Sequence, residues 1–242
     1  MVARAQATPG PSLGTCVTEP RQHGDDTKGQ WTQSTPSLAE SRLSLYALKP
    51  RFQAWLRPLV RMIARAGITA NQVTVATAVI SLVVSAFVAW RLPDTLAFVL
   101  IPLWMFGRMA FNAIDGMLAR EFGQQSRLGA YLNELTDVIA DTALYLPFAF
   151  IAPFAPAWVG AVIVLAVISE YAGALGTMVG ASRRYEGPMG KSDRAFVFGA
   201  LGLWVGLASP LPAWAAFGMP ALAALIVLTI INRVHGGLNE ST

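Results

Sequence analysis

Two stretches of the chain set polar side chains among apolar ones at helical spacing. The first holds Arg108, Asn112 and Asp115 and ends in Asp115-Gly116-Met117-Leu118-Ala119-Arg120; the second holds Gly129, Asn133, Glu134, Asp137 and Asp141. Asn112 and Asp115 stand three apart, and Gly129, Asn133, Asp137 and Asp141 step by four, so each set lies along one face of a helix. The two faces can oppose each other across a hairpin. Carboxylates converging there repel unless a cation neutralises them, and an all-oxygen ligand set suits Mg²⁺ or Mn²⁺. Such an ion beside Arg residues makes a site for phosphate chemistry, because it clamps phosphoryl oxygens and stabilises charge in the transition state. Gly116, Ala119 and Gly129 remove bulk beside the carboxylates. Small residues also let helices pack closely, and the glycines alone suit either role.

The elements that must position these residues are helices of membrane length. Of the 242 residues 54% are hydrophobic and only 13% charged, about half the charge of a soluble domain, and the apolar residues come in runs long enough to cross a bilayer. Cys16, His23 and His235 lie outside those runs and offer no disulfide framework and no zinc or haem site. The net charge of +4 comes from basic residues beside apolar segments and not from a patch interleaved with stacking aromatics, so membrane lipids, and no nucleic acid, are the expected partners.

Six spans are expected, at 73–90, 96–119, 128–151, 158–181, 195–208 and 213–231. Arg57, Arg61 and Arg65, then Arg120 and Arg127, then Arg183, Arg184, Lys191 and Arg194 mark alternate loops, while the loops between carry almost no charge. By the positive-inside rule both termini and the polar site face the cytoplasm. Residues 1–40 read as a disordered tail without the apolar region of a signal peptide. Residues 41–70 read as an amphipathic juxtamembrane helix, its Phe52, Trp55, Leu56, Leu59, Val60 and Ile63 facing the membrane surface and Pro58 kinking or starting it. A six-helix membrane domain over 71–234 and a C-terminal tail over 235–242 complete the chain. The fold class is thus all-α: a polytopic membrane protein with six transmembrane helices preceded by an interfacial helix.

Arg108, Asp141 and Glu170 fall at a shared depth near mid-membrane, roughly 18–21 Å from the Arg flanking each span by the helical rise. The simplest account is a structural ion pair of Arg108 with one or both carboxylates.

The run Asp115-Gly116-x2-Ala119-Arg120-x8-Gly129-x3-Asn133-x3-Asp137 resembles the signature of the CDP-alcohol phosphatidyltransferases, D-x2-D-G-x2-A-R-x8-G-x3-D-x3-D, with every spacing matched. Asn71-Gln72-Val73-Thr74 resembles the family's P-N-x-x-T, with Ala70 in place of Pro. The first and third aspartates fall on Asn112 and Asn133. Both Asn, together with Glu134 and Asp141, make residues 43–233 similar to the YnbA-like inner-membrane branch of that family. The resemblance implies a bacterial inner-membrane homodimer that binds CDP-diacylglycerol and moves its phosphatidyl group to a small alcohol with release of CMP, in phospholipid biosynthesis. It implies that Asp115 ligates metal and contacts the nucleotide, that Asp137 is metal ligand or general base, and that Thr74, Gly116, Ala119, Arg120 and Gly129 form the CDP pocket.

Each Asp→Asn exchange removes a negative charge, so affinity for a second ion should fall unless Glu134, three residues before Asp137, rotates in to replace Asn133. Three versions stand: a two-metal enzyme rescued by Glu134, a one-metal enzyme using Asp115 and Asp137 with Asn112, and a protein that binds a CDP-lipid without turnover. The cationic loop Arg183, Arg184, Lys191 and Arg194 suits a phosphorylated acceptor such as glycerol 3-phosphate, or else is topogenic charge alone. A membrane transporter is the alternative from another class, and it requires unwound spans near the midplane.

Overall fold

The computed structural model describes residues 45–240, and every regular element among them is helical. The tail expected over 1–40 lies outside the described residues. The helices are α1 (Leu45–Arg65), α2 (Ala70–Trp90), α3 (Leu100–Glu121), α4 (Arg127–Tyr145), α5 (Pro156–Leu175), α6 (Lys191–Ala208) and α7 (Gly218–Glu240), several of them extended by a 3-10 turn. The expected tail from 235 is therefore helical as far as Glu240.

Four helical stretches are long and apolar enough to cross a membrane: Ala70–Trp90, Thr95–Glu121, Pro156–Val179 and Ala213–Glu240. The other two expected spans correspond to α4 and α6. Their apolar character is lowered by the charges they carry, Glu134, Asp137 and Asp141 in α4 and Lys191, Asp193 and Arg194 in α6. Large apolar side chains such as Val83, Leu103 and Phe106 stand on the outside, while Thr77, Ser81, Arg108 and Arg233 are buried. That inversion of the soluble pattern is what a lipid solvent demands.

Local signals account for the helix ends nearest the site. Gly67, at φ +75°, ends α1 with Ile68 N donating to Ile63 O at 3.2 Å, the wrap of a left-handed cap. Two residues on, Thr69 starts α2 with a capping box: its hydroxyl accepts from Gln72 N at 3.2 Å and its amide donates to Gln72 Oε1 at 2.9 Å. Ser126 caps α4 by accepting from Gly129 N at 2.9 Å.

α1 runs unbroken through Pro58, so that proline does not start it. Its Leu56 and Val60 are buried against Ala70 and Val73 of α2 and Ile114, Met117 and Leu118 of α3, and Arg57 Nη2 pairs with Glu121 at 2.9 Å. Much of the face assigned from sequence to the membrane surface thus docks on protein, with Trp55 and Met62 left exposed.

The main core lies among α3, α4, α5, α6 and α7, where Tyr145 stacks on Phe198 with ring centroids 3.7 Å apart. Helix α6 reaches α3 closely through Gly202 and Gly206. A β-carbon on either would press on the Phe98–Pro102 segment, at 3.1 Å from Phe98 O for Gly202 and 2.6 Å from Val99 Cγ2 for Gly206. At the other end of α6, Lys191 in its first turn pairs with Asp137 of α4.

Candidate functional site

The polar faces of α3 and α4 meet. With the start of α2 and Lys191 of α6 they enclose a cavity of about 910 Å³ that opens at the end of the bundle where α2 and α4 begin. Asp115, Gly116, Ala119 and Arg120 form one wall, Gly129, Asn133 and Asp137 the facing one, and Thr74 and Asn112 complete it.

Asp115 is buried and its Oδ2 accepts a hydrogen bond from Thr74 Oγ1 at 2.7 Å. Thr74 is thus a partner of a buried carboxylate as well as a wall residue. Gly129 makes room of a specific kind: a β-carbon there would stand 2.7 Å from Asn71 Oδ1 and 3.0 Å from Ser126 Oγ. Gly116 lies under the Arg120 guanidinium, whose Nη2 would stand 3.0 Å from an added β-carbon.

Asp137 is the most heavily engaged group. Its Oδ1 accepts from Arg108 Nη2 at 2.9 Å and from Asn112 Nδ2 at 3.4 Å, and its Oδ2 is paired with the Lys191 ammonium. Arg108 also pairs with Asp141. Glu170, expected beside Arg108 from its depth, is held elsewhere: Arg194 Nη2 at 2.7 Å and Arg183 and Arg233 at 3.4 Å surround it. Depth along a helix says nothing of azimuth, and Glu170 faces α6 and α7 while Arg108 faces α4.

Glu134 lines the larger cavity beside Asn133 as well as a smaller one. It pairs with Arg183, whose guanidinium also lies 5.1 Å from the Tyr185 ring centroid. The expected cationic loop is likewise committed. Arg184 pairs with Glu186 and Glu240, fastening the loop to the end of α7. Arg194 is 1% exposed and donates to Ser169 Oγ, Met189 O and Glu170. Neither lines a cavity against Asp137; Arg183 and Lys191 do, joined by Arg233.

The donor chemistry bears on metal. The cavity offers the carboxylates of Asp115 and Asp137 and the amide oxygens of Asn112 and Asn133, an oxygen set that fits one Mg²⁺ or Mn²⁺. Glu134 lines the same cavity and pairs with Arg183, and among the described residues no group of three or more His, Cys, Asp or Glu side chains could by itself hold a metal.

Asn71, quoted in the sequence as part of the match to P-N-x-x-T, packs against Gly129. Sequence reasoning missed two features of this site: Gln124 Oε1 accepts from Ala70 N at 2.7 Å and so ties the α3–α4 loop to α2, and Arg233 of α7 reaches the site across the bundle.

Comparison with known proteins agrees with this geometry. The sequence profile of the CDP-alcohol phosphatidyltransferase family matches residues 67–232. The inner membrane protein YnbA of Escherichia coli (strain K12) is 41% identical over 196 residues, 81% of this chain and 97% of its own. A phosphatidylinositol phosphate synthase of Streptomyces avermitilis is 28% identical over 117 residues, 48% of this chain and 46% of its own. Among solved structures, the phosphatidylinositol phosphate synthase PgsA1 of Mycobacterium tuberculosis with CDP-DAG bound shares the fold at a TM-score of 0.63 and 24% identity, over 74% of this chain and 92% of that one. The same synthase in complex with manganese and citrate gives a TM-score of 0.60 at 25% identity, over 75% and 88% of the two chains. With the profile spanning well over half its length and a close relative matched nearly end to end, the chain belongs to the CDP-alcohol phosphatidyltransferase family.

Proposed function

We propose that the protein transfers a phosphatidyl group from CDP-diacylglycerol to a small alcohol and releases CMP. The observation that carries this reading is that Asp137 stands between two cavities, the larger lined by Thr74, Asp115, Gly116, Ala119, Arg120 and Gly129 and the smaller by Glu170, Arg183 and Lys191. The first takes the cytidine and diphosphate, with Arg120 and Lys191 on the phosphates. The second takes the alcohol. The acceptor oxygen bonds to the phosphatidyl phosphorus, the bond from that phosphorus to the bridging oxygen breaks, and CMP leaves with the electron pair. Asp137 takes the hydroxyl proton, the Lys191 ammonium moving from it to the diphosphate. Asp115 and Asp137, with Asn112 and Asn133, would hold one Mg²⁺ or Mn²⁺. When bound, such an ion supplies charge neutralisation at the diphosphate.

In this reading all six helices α2 to α7 cross the inner membrane, α1 lies at its surface, and the cavity opens on the cytoplasmic side. Arg120 and Arg127 line the cavity, in keeping with the positive-inside rule. Residues 1–40 precede the membrane domain, and the functional unit is a homodimer. The transporter alternative needs helices broken near mid-depth, whereas α3 and α4 run continuously past Arg108 and Asp137. A lipid-binding protein without turnover is the second reading, favoured by Asn112 and Asn133 and by the Lys191–Asp137 pair.

The test is CMP release from CDP-diacylglycerol by purified protein in lipid nanodiscs with Mn²⁺ or Mg²⁺ and a panel of alcohols. Metal-dependent release that falls at least a hundredfold in Asp137→Asn supports the transferase, since general bases contribute about 10²–10⁴. Binding of CDP-diacylglycerol without CMP release under any condition leaves only the second reading.

A further inference from the structure

The smaller cavity, about 260 Å³, reaches Asp137 from the side away from Gly116 and Gly129. Five carboxylates line it: Glu134, Asp137, Asp141, Glu170 and Asp193. Only three cations do so, Arg183, Lys191 and Arg233.

Each of those cations is already spent. Lys191 is on Asp137; Arg183 is shared by Glu134 and Glu170 and covered by the Tyr185 ring; Arg233, 2% exposed, is bound to Ser169 O, Glu186 O and Glu170. The two further cations of the network, Arg108 and Arg194, are held behind the wall by Asp137, Asp141 and Glu170. One donor among the lining cations is left over, the buried Nε of Arg183, and the five carboxylates outnumber it. At its inner end a small void shares Val138, Asp141 and Glu170 with it and holds the hydroxyl of Tyr145, fully buried and without a hydrogen-bond partner.

We infer that the acceptor alcohol carries no phosphate: the site takes an uncharged polyol or an amino alcohol and rejects the phosphorylated form of the same molecule. This rests on the phosphatidyltransferase reading and names its acceptor class. A phosphate monoester brings a charge of about −1.5 to −2 and needs two or three charge-assisted donors. To obtain them it must draw on Lys191 or Arg183, and do so among five like-charged carboxylates. Drawn from Asp137, Lys191 leaves it with Arg108; drawn from Glu134 and Glu170, Arg183 leaves Glu170 with Arg194 and Arg233 but Glu134 without its cation. Hydroxyl and ammonium groups need no such exchange, since they donate to the oxygens already presented. Donor binding strengthens the bias. Lys191 lines both cavities, and once a diphosphate in the larger one draws its ammonium, the acceptor side is one cation poorer.

The experiment uses the full-length protein in nanodiscs saturated with CDP-diacylglycerol and Mn²⁺, so that the larger cavity is filled. Matched pairs are compared, glycerol with glycerol 3-phosphate and ethanolamine with phosphoethanolamine, by equilibrium binding of the labelled compound and by CMP release. At least one unphosphorylated member is expected to bind, and to exceed its phosphorylated partner at least tenfold in affinity and in kcat/KM. Glu134→Gln, which frees Arg183 from one of its two carboxylates, is expected to narrow that ratio severalfold. Preference for a phosphorylated member, equal binding of the two, or binding of none overturns the inference. CMP release driven by glycerol 3-phosphate would overturn it while leaving the transferase reading intact. Selective binding of ethanolamine or glycerol without CMP release would uphold the acceptor class and sink the transferase reading instead.

Discussion

Replacing Arg108 by Leu separates a structural ion pair from a decorative one. The guanidinium is almost wholly buried and serves two carboxylates of α4: Nη1 pairs with Asp141, and Nη2 donates to Asp137 Oδ1 at 2.9 Å and to Asp137 O at 3.1 Å. Its removal affects the two carboxylates unequally. Asp137 keeps Lys191 and Asn112, whereas among the described residues Arg108 is the one cation hydrogen-bonded to Asp141. A carboxylate left without its cation inside a protein costs about 3–5 kcal/mol, and that is the expected loss for Arg108→Leu. Removing the orphan as well, in Arg108→Leu/Asp141→Leu, leaves only the weakened Asp137, worth about 1.5–3 kcal/mol for the lost charge-assisted hydrogen bonding. The double variant should therefore be more stable than the single one by roughly 2 kcal/mol, against the usual expectation that two lesions are worse than one. Unfolding in mixed micelles titrated with a denaturing detergent measures all three proteins. Wild-type stability in Arg108→Leu, or a double variant no better than the single, refutes the assignment.

Three further outcomes follow from the same geometry. Gly187 sits at φ +125° with Thr229 Cα only 2.7 Å from where a β-carbon would stand, so Gly187→Ala combines backbone strain with overpacking and should destabilise by more than about 2 kcal/mol; hydrogen exchange should rise across residues 182–190, and unchanged exchange there would contradict the contact. Restoring the missing charges in Asn112→Asp/Asn133→Asp should raise Mn²⁺ stoichiometry from one ion per chain toward two, read by elemental analysis after equilibrium dialysis, and a stoichiometry unaffected by the substitutions would remove the charge argument. Burial works against the Glu186 carboxylate, but hydrogen bonds from its own amide, the Arg184 side chain and the Tyr185 amide hold its pKa below the ordinary value. The folded value lies below the unfolded one, so its contribution is full above the unfolded pKa and fades as pH falls through the folded value; the α5–α6 loop should loosen to proteolysis below about pH 4, near the ordinary Glu value, and much less so in Glu186→Gln.

Helical spacing was enough to place Asn112, Asp115, Asp137 and Asp141 on facing surfaces, because a helix fixes azimuth along its own axis. It could not say which neighbour each face meets. Glu170 and Arg108 share a depth yet face different helices, and Glu134, one residue from Asn133, is carried round the helix toward Arg183. Long guanidinium side chains blur the picture further: Arg184, Arg194 and Arg233 look alike in sequence as loop or end charges, but they fasten α7, α5 and the loop to one another. Helix α1 was legible as amphipathic and illegible as docked, since its apolar face satisfies lipid and α3 equally. The capping box Thr69-x-x-Gln72 was readable in principle and was passed over for the neighbouring Asn71 and Thr74.

The charges of the site divide along Asp137. On the proposed donor side the signature positions contribute two carboxylates where the family pattern has four, and Arg120, Arg127 and Lys191 line the same cavity, so in the transferase reading an entering diphosphate would meet protein cations as well as any ion the oxygens hold. On the proposed acceptor side carboxylates outnumber cations, and Arg183 and Arg233 are engaged by Glu134, Glu170 and backbone carbonyls. The asymmetry gives the Asn residues a physical sense. With Asp at 112 and 133 the central carboxylates would compete for Lys191 and Arg108, and Asp137 would be harder to hold between two like-charged neighbours. With Asn there, Asp137 is held through Oδ1 by Arg108 and Asn112 and through Oδ2 by Lys191; in the proposed transferase, a diphosphate that drew the ammonium away would free Oδ2 to act as the base.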